Sequence, residues 1–108
     1  MAYDEGLAHL FREELDGLRI TEKKMFGGLV FMLQGNMLCG IYQNQAMFRI
    51  GAVNVPAARA IAGVSQMQMK GKPMAGYVDC SDDCFANDES RAALLSMATA
   101  FVKSLPAK

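Results

Sequence analysis

The sequence holds one histidine, three cysteines and no excess of either charge, with eleven basic residues against eleven acidic ones. Each shortage removes a class of function. A lone histidine, His9, leaves little for general-base chemistry, and no serine, histidine and acid are spaced as a nucleophilic set. No pair of carboxylates stands in a cleft-forming motif. A net charge of zero gives no broad attraction to nucleic acid or to an anionic membrane surface. No run of about 18 apolar residues occurs, so no membrane span is expected. The first ten residues, MAYDEGLAHL, carry two early acids and no basic region, so no secretion signal is expected either. Cys39, Cys80 and Cys84 are an odd number in such a chain, which fits reduced thiols and a cytoplasmic location.

What is present suits a folded domain. The 108 residues are 52% hydrophobic and 20% charged, enough to bury a core within a single domain spanning 1–108. From Tyr3 to Leu18, apolar residues at Leu7, Leu10, Phe11, Leu15 and Leu18 recur at helical spacing. Asp4 and Glu5 favour the positive end of that helix, and Gly17 is a natural stop. The next thirty residues are rich in β-branched, aromatic and methionine side chains. Turn residues at Gln34–Asn36 and Gln43–Gln45 divide them into strands near 24–33, 36–42 and 46–50, an antiparallel meander. Period-two alternation places Met25, Gly27, Leu29, Phe31 and Leu33 on one face and Phe26, Val30 and Met32 on the other. Both faces are apolar, which predicts a sheet covered on both sides, or one whose second side meets a partner. Pro56 opens a short helix that Gly63 closes. Strands near 66–70 and 75–80 flank a turn at Gly71–Pro73. Asp88 is expected to cap a long final helix with Leu94, Met97, Ala98, Phe101, Val102 and Leu105 at helical spacing, ending near Pro106. The order is α-β-β-β-α-β-β-α, an α+β arrangement.

Four motifs invite a chemical reading. KKMFGG, Lys23 to Gly28, has the ingredients of a phosphate loop, but its lysines precede the glycines and a strand follows, so neither the P-loop nor the dinucleotide fingerprint fits. Glycines within a strand mark a bulge or a close crossing of backbones instead, and the hexapeptide reads as the start of the first strand. Cys80 and Cys84 are separated by three residues, with Cys39 and His9 on distant elements, and this is not the paired spacing of a structural zinc site. Asp79, Asp82 and Asp83 lack the alternating ligands, glycine and closing glutamate of a calcium loop, so DCSDDC reads as a solvated turn. Nine methionines could offer thioethers to copper(I). Met67 and Met69 share a strand face with Met74 near them, while Met25, Met32, Met37, Met47 and Met97 are scattered through core elements. Pliable filling of a core or an adaptable interface is the better account. No metal or cofactor is expected. The charged residues that stand at strand ends and turns, Lys23, Lys24, Arg49 and Lys72, are the candidate contact site for an anion or a partner, if they converge on one sheet edge.

Taken together, TEKKMFGG (Thr21–Gly28), GNMLCGIY (Gly35–Tyr42), FRIG (Phe48–Gly51), KPMAGYV (Lys72–Val78) and the FVKSLP tail (Phe101–Pro106) resemble the TfoX N-terminal-domain family, in the family's order. The resemblance implies a compact domain with a mainly antiparallel five-stranded sheet and flanking helices. Its founding members regulate competence for DNA uptake and carry a second, C-terminal domain, so a stand-alone N-terminal domain is expected here. The family offers no catalytic residues to carry over. The leading expectation is a non-enzymatic regulatory or protein-interaction module, its partner another protein or a second copy of itself. The alternative is a nucleic-acid-associated regulatory factor using the small basic patch, against which the neutral net charge counts.

Overall fold

The computed structural model of the protein describes residues 5–25, 28–42, 45–69 and 71–106. The first helix, α1 (Glu5–Glu14), is followed by strands β1 (Ile20–Met25), β2 (Gly28–Leu33), β3 (Asn36–Tyr42) and β4 (Gln45–Arg49). A 3-10 turn at Ala52–Asn54 leads into α2 (Val55–Arg59), then β5 (Val64–Met69), β6 (Lys72–Cys80), α3 (Asp82–Ala86) and α4 (Asp88–Lys103). The six strands form one antiparallel sheet in the order β1-β2-β3-β4-β6-β5. The α+β class and most of the expected order hold, with one more strand than expected.

The extra strand comes from the stretch read as one strand over 24–33. Met25 pairs with Gly28 and Ile20 with Leu33, so the chain reverses within KKMFGG instead of starting its first strand there. Phe26 and Gly27 lie outside the described residues. β1 is mostly exposed, with the polar sequence Thr21–Glu22–Lys23–Lys24, and hydrophobic patterning alone cannot reveal such an edge strand. The reversal also moves Met25 to the face of Val30 and Met32, opposite the face expected for it. At the next turn Gln34 and Gly35 both adopt positive φ, as a two-residue hairpin of the primed type requires. Asn36, expected in that turn, instead begins β3, where its buried amide donates to the carbonyl of Pro106 at 3.0 Å.

The four helices of the described residues lie on one face of the sheet. They build a core from Leu7, Phe11, Leu29, Phe31, Ile41, Phe48, Val78, Phe85, Leu94 and Val102, among others. Phe11 is its hub, with its ring 5.2 Å from that of Phe31, 5.6 Å from Phe48 and 4.7 Å from Phe85. The helix expected over 3–18 is shorter: a turn over Leu15–Gly17 follows Glu14, and Tyr3 and Asp4 fall outside the described residues. DCSDDC is not a solvated turn. Ser81 caps α3 by accepting from the Cys84 amide, and this places Cys80, Cys84 and Phe85 in the core. The cap of α4 is Asn87, whose side chain accepts from the Ser90 amide, and Asp88 is the first helical residue.

Two glycines let the strands approach one another closely. A Cβ on Gly28 would lie 2.0 Å from the Ile41 carbonyl oxygen, and one on Gly40 would lie 2.6 Å from that of Leu29 and 2.9 Å from the Met47 methyl. The expectation that glycine here marks a close backbone crossing holds at Gly28.

Candidate functional site

The four cations singled out in the sequence do not form one cluster. Lys23 and Lys24 are neighbours on the edge strand β1, so their side chains leave opposite faces of the sheet. Lys72 begins β6, four strand spacings or about 19 Å across. It also lies at the other end of the strands: the far end of β6, Cys80, is level with Ala46, Ile41, Leu29 and Lys24. Arg49 ends β4 opposite Tyr77, two residues along the strands from the level of Lys23 and five from Lys72, its guanidinium carbon 5.8 Å from the centre of the Tyr77 ring and 5.7 Å from that of Phe101. That cation rests on two aromatic faces, an arrangement that fixes β4 to α4 through cation–π attraction.

The cysteines and acids give no metal centre among the described residues, where no three His, Cys, Asp or Glu side chains are grouped to hold an ion. Cys39, Cys80 and Cys84 are all buried, and burial pushes the Cys39 thiol well above its ordinary range. His9 is exposed on α1 and meets Glu13 one turn on, at 2.8 Å.

The feature that stands apart is the sheet face without helices. Its floor is Val30, Met47 and Met67, all buried. Packed over them and partly exposed are Met25, Met32, Met37, Tyr42, Met74 and Tyr77. Six of the nine methionines of the chain thus lie together on one face, contributed by β1, β2, β3, β4, β5 and β6. Methionine is unbranched, so these side chains lie down over the sheet and cover one another while staying free to repack against something else. Val53 is the exposed large hydrophobic side chain among the described residues, at 92%, and it belongs to the 3-10 turn instead of this face. The apolar face is therefore self-covered in the free chain.

Two charges flank it. Asp79 pairs with Met47 across β6 and β4, and Lys23 pairs with Val30 across β1 and β2, so both side chains emerge on the methionine face. Asp79 is half-buried, and the loss of water raises its carboxyl above the ordinary value of 3.8. Among the described residues it has no ion pair, and neither has Lys23, which is exposed. Sequence alternation placed Val30 and Met32 on this face, but Asp79 was legible only as part of an acidic turn. Its placement depends on the β4–β6 register, which links residues more than thirty positions apart.

A six-stranded antiparallel sheet with helices on one side and a methionine face on the other defines an α+β domain. Residues 13–102 match the TfoX N-terminal domain, and the chain belongs to that family. No curated protein and no solved structure matches it. Among the described residues, no helix is long and apolar enough to cross a membrane.

Proposed function

We propose that this domain is a non-enzymatic regulatory module of the cytoplasm that acts by protein–protein contact through its methionine face. One observation carries the reading: all the helices pack on one side of the sheet, and the other side gathers Met25, Met32, Met37, Met47, Met67 and Met74 with Tyr42 and Tyr77. Methionine and tyrosine are the residues of adaptable binding surfaces, since the thioether chain repacks easily and the phenol joins an apolar ring to a polar tip. The family's association with competence regulators supports a regulatory role. The basic-patch alternative lacks such an observation, because the four cations it would use are spread over β1, β4 and β6 instead of meeting on one edge.

The test is cross-linking in living cells from a photoreactive residue at Met37, on the methionine face, and separately at Ser96, on α4 behind the sheet. Discrete protein adducts from position 37 and none of them from position 96 are expected. The same adducts from both positions, or none from either, would refute the reading.

A further inference from the structure

We propose that a second copy of this chain occupies the methionine face, packed sheet to sheet about a twofold axis that runs parallel to β3, with Lys23 of each copy meeting Asp79 of the other. The proposal rests on the reading of this face as an interaction surface and names its occupant.

The sheet register carries the argument. One row of paired residues crosses the methionine face: Lys23 on β1, Val30 on β2, Gly40 on β3, Met47 on β4 and Asp79 on β6. Ser65 on β5 pairs with Asp79 and continues the row beyond β6, so β3 is central among the five strands from β1 to β6, with two on either side, and β5 lies outside that exchange. A twofold axis lying between two such faces, above and along β3, exchanges β1 with β6 and β2 with β4. It therefore sets Lys23 over Asp79 of the second copy, and the methionine and tyrosine side chains packed over Val30 against those packed over its Met47. Each cation meets an anion and each apolar residue an apolar one, and the same contacts occur twice, as an isologous interface requires. The row has a positive end and a negative end, and this is the charge arrangement that is self-complementary under that rotation.

The residues on the axis fit the same geometry. Those β3 residues whose partners mark them as facing this side are Met37, Gly40 and Tyr42. On a twofold axis each meets its own copy, so a charged residue there would repel itself; all three are uncharged. At the centre the Met47 methyl lies against Gly40, so the axis there is lined by a pliable thioether, and stacked sheets pack at about 10 Å.

Within one chain the two charges cannot satisfy each other, since four strand spacings, about 19 Å, separate Lys23 from Asp79. Asp79 is held half-buried between Met47 and Ser65 of the neighbouring strands without a cation, an arrangement that costs free energy in the free chain and is relieved when a lysine arrives. The face itself is about 24 Å across its strands, which places the interface at the small end of specific contacts and makes it a reversible one.

Sedimentation velocity of the full chain over a micromolar-to-millimolar concentration series tests this. The parent should show a concentration-dependent monomer–dimer equilibrium. Lys23→Asp sets carboxylate against carboxylate and should weaken the dimer at least tenfold; Asp79→Lys should do the same, and the doubly exchanged protein should recover to within about threefold of the parent, given the cost of like charges in contact. Met37→Glu, which puts two carboxylates on the axis, should abolish dimerisation, with circular dichroism melts checking that each variant is folded. A parent that stays monomeric throughout, or a dimer that ignores Lys23→Asp and Met37→Glu, overturns the proposal. A monomeric parent whose Met37 cross-links capture a different protein overturns only the choice of occupant and leaves the interaction face standing.

Discussion

Arg91 on α4 reaches Glu14 on α1 through two hydrogen bonds to one carboxylate oxygen, from Nε at 3.1 Å and Nη2 at 3.0 Å. Its side chain is only 8% exposed, and it also donates to Asp88 Oδ1 at 2.8 Å and to the Phe85 carbonyl at 2.7 Å. One guanidinium therefore holds the first helix, the last helix and the end of α3 in register. Removing it leaves a buried carbonyl without that donor and empties the space of its stem, whereas Glu14 and Asp88 return to water. Arg91→Ala should cost about 2–3 kcal/mol in urea unfolding. Glu14→Gln should cost less than about 1 kcal/mol, because Arg91 keeps its other two partners. Equal losses for the two variants would mean that the Glu14 contact alone carries the joint.

Phe11 touches three other rings, one from β2, one from β4 and one from α3. Its truncation opens a cavity at the point where α1 meets those three rings. Phe11→Ala should destabilise by about 3–5 kcal/mol, a large share of what a domain of this size possesses, and Phe11→Leu by distinctly less. Thermal melts read by circular dichroism check this, and a Phe11→Ala protein that melts near the parent would show that the ring cluster is not central.

The sequence revealed those elements whose apolar period is strong and missed those that are held by context. The spacing from Leu7 to Leu15 and from Leu94 to Val102 gave both long helices, and alternation from Leu29 to Leu33 gave β2 with its faces. β1 escaped because Thr21 to Lys24 has no apolar period; it is a strand because β2 offers it an edge, with the bidentate pair of Arg12 and Glu22, both bonds 2.8 Å, tying it to α1. α3 escaped because five residues around two aspartates look like a turn until the Ser81 cap and the burial of Cys84 and Phe85 are seen. The candidate site was half legible. Two apolar faces predicted either full cover or a partner, but the pairing that unites six methionines and sets Lys23 level with Asp79 is long-range, and no local pattern encodes it.

Gly28 and Gly40 offer a test of how closely the strands run. The nearest atoms to a new Cβ at either site are carbonyl oxygens of the neighbouring strand, which cannot rotate away as a side-chain tip could. Gly28→Ala and Gly40→Ala should each cost about 1–3 kcal/mol, with Gly28→Ala the larger because its contact is the tighter. Hydrogen exchange should show loss of protection confined to β2 and β3. Full stability in Gly28→Ala would mean that these two strands lie further apart than described.

Asp79 and Glu22 should respond to pH with opposite signs. Burial raises the Asp79 carboxyl, so the folded chain holds that proton more tightly than the unfolded chain does. Its contribution to stability is whole below the ordinary value of 3.8 and is lost as pH rises through the higher folded value. In protein dilute enough to be monomeric, Asp79→Asn should therefore melt above the parent at pH 7 and draw level in acid. For Glu22, the hydrogen bond from Arg12 lowers the carboxyl below its ordinary 4.5, so its contribution is present above that value and disappears as pH falls through the lower folded one. Both partners are exposed, so Glu22→Gln should cost less than about 1 kcal/mol at pH 7 and nothing in strong acid. At high protein concentration the Asp79→Asn gain should shrink or reverse, since the same substitution removes the anion that meets Lys23 across the dimer. A gain that is independent of concentration would separate the burial of Asp79 from any role in assembly.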